Sequence, residues 1–467
     1  MKSLQSALLI DVGSTFTKAF AIGLDDEELL TSVSTPSTSG TDVCEGIDNV
    51  ILLVNEAVGE KINFKLRLAS SSAAGGLRMV VVGLVSDLTS QAARLSALGA
   101  GAKVISTYSY KLNRSERERI EHDKPDIILL VGGTDGGNEE TILWNAKLLS
   151  YLESDVPIVI AGNKVVAHEV EGILKDSGKD TYICDNVLPQ IGKLNVEPVR
   201  KTIRKIFINR IVISKGFKGV KEYIDGILTP TPAAVFEAVK LLSKGTENVK
   251  GLGELVAVDI GGATTDVYSV AAGLPTKEGA IIKGFPSPCD MRTVEGDLGL
   301  RSNAVSILEE VGEKMVLKSI GIKNIDLEKI TRDLSKKVSK TPKSGADKAV
   351  DLGLASSAAQ LALKRHAGYI KTIYTPMGSM SIQYGKDLTE IRSLISTGGI
   401  FVHYSNKSRI KILEGTLCNH DDPFTLTPEK PRFYVDSNYI IYGMGLLSNY
   451  YPDKALRILK RNLPRIN

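Results

Sequence analysis

Apolar residues come in short runs whose period changes along the chain. "LLIDVGS", "TKAFAIG" and "LLTSVST" read as three early strands, aliphatic and bounded by Gly, Ser or Asp. "GIDNVILLVNEAVGE" then spaces its apolar positions as an amphipathic helix does, and "KLRLASS" returns to strand. That order is β-β-β-α-β. A longer stretch alternates the strands "MVVVGL", "KVISTY", "DIILLVGG", "PIVIAGN" and "TYICDN" with helices expected at 90–98, 140–153 and 164–175. Such alternation predicts a parallel sheet with crossover helices. Pro230 and Pro232 punctuate the entry to a helix in "DGILTPTPAAVFEAVKLL", and "LVAVDIGGATTDVYSV" then opens as the chain itself opened. Lysine-rich 323–348 reads as solvated helix and loop rather than as a nucleic-acid arm.

The repeat is the informative event. "LIDVGSTFTK" (9–18) and "AVDIGGATTD" (257–266) share one grammar: an apolar strand, an Asp at its end, a glycine-bearing turn with Thr, and a returning strand. The candidates are Asp11, Gly13, Ser14, Thr15 and Lys18 in the first copy, and Asp259, Gly261, Gly262, Thr264, Thr265 and Asp266 in the second. Glycine lets such a turn bring backbone N–H groups close to an anion. Two facing turns would grip a polyphosphate, with Asp11 and Asp259 holding a hydrated Mg²⁺ against it. "SLISTGGIF" (393–401) adds a strand ending in Thr397-Gly398-Gly399, where a base and ribose could lie on bare backbone. For either hairpin alone, Lys18 snorkelling to solvent is an equal reading. The three motifs in this order favour a nucleotide as its counterion.

In that order the motifs resemble the actin, sugar-kinase and heat-shock-chaperone ATPase superfamily, and the first hairpin has the actin spacing of Asp to Lys. The resemblance implies an α/β fold of two related actin-like (ribonuclease H-like) halves around a nucleotide cleft that takes ATP with Mg²⁺. "ILLVGGTDGGN", "LTPTPAAVFEA" and "RTVEGDLGLRSN", with the hairpins, further resemble the accessory proteins of adenosylcobalamin-dependent glutamate mutase. This is the MutL/GlmL family, unrelated to the mismatch-repair protein of similar name, and the likeness runs essentially end to end. It implies a cytoplasmic ATPase whose partner is an adenosylcobalamin-dependent mutase, either glutamate mutase or an aminomutase of similar architecture. By analogy with reactivating chaperones, hydrolysis would promote exchange of damaged cofactor. The expected plan is a first actin-like half starting at 1–66, an inserted α/β segment at 67–210, and a helical connection at 211–251. A second half follows at 252–391, with the adenosine motif and C-terminal helices at 392–467. A homo-oligomer stays open.

Two rivals share the fold: a small-molecule kinase with an aspartate base for a substrate hydroxyl, and the activator of 2-hydroxyacyl-CoA dehydratases. The latter needs a cysteine motif for its cluster. Here Cys44, Cys184, Cys289 and Cys418 stand far apart, as thiols do in a reducing compartment.

Composition adds bounds. A chain of 467 residues exceeds what one core usually organises. With 58 Lys+Arg against 54 Asp+Glu, nothing in the charge argues for a nucleic-acid or membrane surface. Apolar runs fall short of the ~18 residues of a bilayer span. Asp135 and Asn138 fall at the carboxyl end of a parallel strand, where open sheets bind ligands. Capping of the next helix is the favoured reading there. Arg292, Glu295 and Asp297 either face the cleft or serve a helix start. His122, His168, His366, His403 and His420 show no metal-ligand spacing.

Overall fold

Strand β1 (Ser6–Val12) is buried along its whole length, and its antiparallel partner β2 (Phe16–Gly23) is nearly so. In this computed structural model, β3 (Leu29–Pro36) extends the meander as a strand alternating between half-buried and exposed positions. β4 (Leu66–Ser71) lies on the other flank of β1, giving the order β3-β2-β1-β4. The structure describes residues 5–13, 15–38, 42–59, 62–72, 77–84, 102–207, 219–220, 223–226, 228–284, 287–321, 325–338, 342–376, 378–418 and 422–467. It divides into two units: one comprises Met1–Thr38, Glu45–Ser70 and Ala234–Asn467, the other Ser39–Cys44 and Ser71–Ala233. These limits differ from an insertion at 67–210. The stretch after 210 up to Ala233 goes with the second unit, and the helix Thr231–Lys244 contributes mainly to the first.

The second unit is built on β5 (Leu77–Gly83), β6 (Ala102–Ser109), β7 (Ile127–Leu130), β8 (Ile158–Ile160) and β9 (Thr181–Ile183), in the order β6-β5-β7-β8-β9. All neighbours in it are parallel. The inner strands β7 and β8 are apolar at every position because both sheet faces are covered. Helices Glu140–Ser150 and Ala167–Lys175 supply Ile142, Ala146, Leu149, Val170 and Leu174 to that core. The helix expected at 90–98 lies outside the described residues.

After β10 (Thr229–Pro230) and helix Thr231–Lys244, the meander recurs. β11 (Leu255–Ile260) pairs antiparallel with β12 (Thr265–Val270), and β12 with β14 (Asp290–Glu295). β17 (Ser393–Thr397) lies parallel to β11, and β18 (Arg432–Val435) parallel to β17. The order β14-β12-β11-β17-β18 thus repeats, hairpin first and later strand on the far flank, what the first sheet does. Two such sheets are the two ribonuclease H-like halves of the actin-like fold. One core joins them: Leu9 and Phe20 of the first sheet and Ala257 and Tyr268 of the second pack with Ala238, Met444 and Leu456 from three helices. A small separate sheet holds β13 (Ile281–Ile282), β16 (Gly378–Tyr384) and β15 (Tyr369–Thr375).

The lysine-rich segment is less solvated than its composition suggests. Helix Leu327–Lys336 starts on an Asp326 cap and buries Leu327, Thr331 and Leu334, three positions spaced onto one helical face. Among the described residues, no helix is long and apolar enough to cross a membrane.

Candidate functional site

The hairpin register brings the first charges together. Asp11, at the end of β1, is the direct antiparallel partner of Lys18 on β2. Asp259, at the corresponding place on β11, pairs with Asp266 on one side and Thr397 of β17 on the other. The two hairpins then meet electrostatically: burial pulls the Lys18 ammonium below its ordinary value, while Asp11, Asp259 and Asp436 hold it up. Asp259 is pushed up to about 7, first by burial and then by Asp266, against the pull of Lys18; Asp11 and Asp436 add to the rise. Three carboxylates thus act on one half-buried cation.

Each of these groups has a local anchor. Asp11 accepts from Ser70 Oγ at 3.3 Å and from Tyr439 Oη at 3.3 Å. Lys18 Nζ lies 3.3 Å from the centroid of the Tyr439 ring. Asp266 is gripped by Arg292, whose Nε donates to Oδ1 at 2.9 Å, and Thr264 Oγ1 donates to its other oxygen at 3.0 Å. Thr265 turns its hydroxyl to Leu298 O at 2.7 Å. Asp436 accepts from Thr397 Oγ1 at 2.9 Å and caps the next helix through Ile440 N at 2.9 Å and Ile441 N at 3.1 Å.

The turns are braced from behind. Gly13 N donates to Phe16 O at 3.0 Å, closing the first turn. Gly261 N donates to Thr264 O at 2.9 Å, while Arg301 N and Ser302 N reach Gly262 O at 2.8 and 2.9 Å. Thr15 is half-buried, and Ser14 lies outside the described residues. The two glycines after β17 differ. Gly398 has φ +112°, and a Cβ on it would lie 2.3 Å from Ile260 O, so close strand packing demands glycine there. A Cβ on Gly399 would meet nothing within 4 Å, so this backbone faces open space.

The donor set fits Mg²⁺. Asp11 and Asp259 are hard oxygen donors set close to further carboxylates, and Lys18 is the cation that both of them face. Among the described residues, no three His, Cys, Asp or Glu side chains enclose a metal by themselves. Mg²⁺ is commonly bound by one or two carboxylates together with waters and phosphate oxygens.

Other candidates lie apart. Arg292 is spent on Asp266. Glu295 and Asp297 both pair with Arg365, at 2.8 and 2.9 Å, and the helix that follows begins only at Ala304. Asn138 Oδ1 accepts from Thr141 N at 3.1 Å, capping its helix, and Asp135 is tied to Asn186 Nδ2 at 2.9 Å and Lys164 N at 3.2 Å. His366 is buried between Ser269 and Thr293. Sequence reasoning missed Ser70, Asp436 and Tyr439. The one available signal was "RFYVDSN", another apolar strand ending in Asp.

Comparison with known proteins adds the family. The model described as "MutL protein" matches residues 7–463. The curated Protein MutL of Clostridium tetanomorphum is 42% identical over 460 residues, covering 98% of this chain and 99% of its own. Solved structures resemble it more distantly. Nucleotide-free acetone carboxylase is 14% identical with a TM-score of 0.37, the match covering 95% of this chain and 70% of that one. Gluconate kinase from Lactobacillus acidophilus is 11% identical with a TM-score of 0.35, over 99% of this chain and 93% of that one. On the family match along nearly its whole length, the chain belongs to the MutL family.

Proposed function

We propose that this chain is the ATP-dependent accessory protein of an adenosylcobalamin-dependent mutase, glutamate mutase or an aminomutase of similar architecture. In this reading it hydrolyses Mg-ATP to promote exchange of damaged cobalamin. The observation that carries the nucleotide site is the convergence of Asp11 and Asp259, from two repeated hairpins, on the half-buried ammonium of Lys18, the register partner of Asp11. The mutase partner rests on family membership.

The residues divide the work. Lys18 presents its ammonium to the phosphates, which supply the negative charge that offsets its burial. The Gly13 and Gly261-Gly262 turns offer backbone to the same anion, and the open backbone of Gly399 leaves room for the adenosine. Asp11 and Asp259 would hold Mg²⁺, which neutralises charge on the β- and γ-phosphates when bound. Asp266, fixed by Arg292 and Thr264, keeps the second hairpin in shape.

Phosphate-release assays test the site. Wild-type protein should hydrolyse ATP slowly without any small acceptor, and Asp11→Ala and Asp259→Ala should each lower turnover on the order of 100-fold. Unchanged turnover in both variants contradicts the assignment. Rapid, stoichiometric phosphorylation of a metabolite would make the protein a kinase instead.

A further inference from the structure

Like Ser70 and Asp436, Tyr439 belongs to neither hairpin nor to the glycine pair. Tyr439 follows β18, and its hydroxyl reaches Asp11 Oδ2 at 3.3 Å. Its ring lies under Lys18 Nζ, 3.3 Å from centroid to nitrogen. A single tyrosine therefore touches both charged members of the Asp11–Lys18 pair. Its backbone is held at φ +53°, one of four left-handed non-glycine residues among those described. That conformation costs a bulky side chain energy wherever it occurs, and it persists only when surroundings enforce it. The enforcement is visible: Asp436, three residues earlier, is bonded to Thr397, Ile440 N and Ile441 N. The Tyr439 ring also leans on Tyr442 at 5.4 Å, and Tyr442 Oη donates to Leu9 O on β1 at 3.0 Å.

We infer that Tyr439 is the positioning residue of the phosphate site: its ring sets where the Lys18 ammonium stands and its hydroxyl orients the Asp11 carboxylate. This rests on the nucleotide reading above. The two halves of the side chain have separable jobs. An ammonium over an aromatic face is held by the ring's quadrupole, which leaves its N–H groups directed outward for an incoming anion. The phenol O–H fixes one carboxylate oxygen of Asp11, with Ser70 Oγ on the other. Tyr439 and Asp436 also join the second sheet's last strand to the first hairpin, so the end of β18 and the Asp11 turn respond to each other.

Two variants separate these jobs. Tyr439→Phe keeps the ring and loses the O–H; it should lower kcat for ATP hydrolysis about tenfold while the ATP dissociation constant stays within about twofold. Tyr439→Leu loses the ring as well, and should also weaken ATP binding about tenfold. The control is a double-mutant cycle: in a Lys18→Met background, Tyr439→Leu should add little further loss of affinity. A merely structural tyrosine would instead lower Tm, scale kcat and affinity together, and add fully to Lys18→Met. Additive losses, or variants equal to wild type, overturn the inference while leaving the nucleotide site intact. A wild-type protein that binds no nucleotide overturns both.

Discussion

At the scale of single residues, Asp259 shows a site built against its own stability. Its pKa of about 7 lies above the ordinary carboxylate value, so the folded protein holds a proton there that the unfolded chain has lost. Stability therefore falls as pH rises from about 4 to 7 and stays reduced above that. Asp259→Asn, neutral at every pH, should be more stable than wild type at pH 8 in the absence of nucleotide, on the order of 1–3 kcal/mol. The gap should close as pH approaches 4, while hydrolysis by the variant collapses. Thermal melts at several pH values check this, and a less stable Asn variant at pH 8 would contradict it. The glycine pair makes a second contrast. Gly398→Ala should destabilise by about 2–4 kcal/mol, since its Cβ would strike the Ile260 carbonyl. Gly399→Val should melt like wild type yet bind ATP about tenfold more weakly, as calorimetry would show, because its side chain fills open space. Asp11, Lys18 and Asp259 were legible because each stands in a repeated strand–turn grammar, and the glycine pair because it follows an apolar strand. Asp436 and Tyr439 stand in no repeat, and Tyr439 reaches Asp11 across 428 residues of chain, a proximity no local pattern encodes.

At the scale of elements, the meanders and the parallel sheet could be read because burial leaves a strong period in sequence. β1 and β7 are wholly buried and wholly apolar or nearly so, and β3 alternates as a one-sided strand must. Helix Leu327–Lys336 reads as solvated because its five charged residues outnumber the three buried positions that seat it. The small sheet of β13, β15 and β16 gives almost no signal. Its strands are short or largely exposed, so polar and apolar residues intermix. The helix Ile441–Leu447 carries a further expectation. It is buried throughout, and Gly445 lies so near helix Thr231–Lys244 that a Cβ would stand 1.8 Å from Ala234 O. Gly443 meets Phe20 of β2 in the same way, with 2.3 Å to its ring. Gly445→Ala must push the two helices apart and should cost about 2–4 kcal/mol, measured by denaturant unfolding. An unchanged midpoint would show that the helices slide freely at this crossing.

At the scale of the molecule, the unit that holds the site carries both sheets, so a nucleotide bound by Asp11 and Asp259 would touch each of them at once. Under the proposed function, losing the γ-phosphate would remove contacts that only a nucleotide-closed arrangement offers, and that difference would bias a protein partner. This is how hydrolysis at the site would act on a mutase without any acceptor group. The measurement that tests it most directly starts from a cognate adenosylcobalamin mutase inactivated by turnover, to which this protein, Mg-ATP and fresh adenosylcobalamin are added. The account predicts that mutase activity returns with the wild-type protein and ATP, and fails to return with Asp259→Ala or with a non-hydrolysable ATP analogue. Equal recovery with the analogue would mean that hydrolysis does not drive the exchange, and would contradict the account.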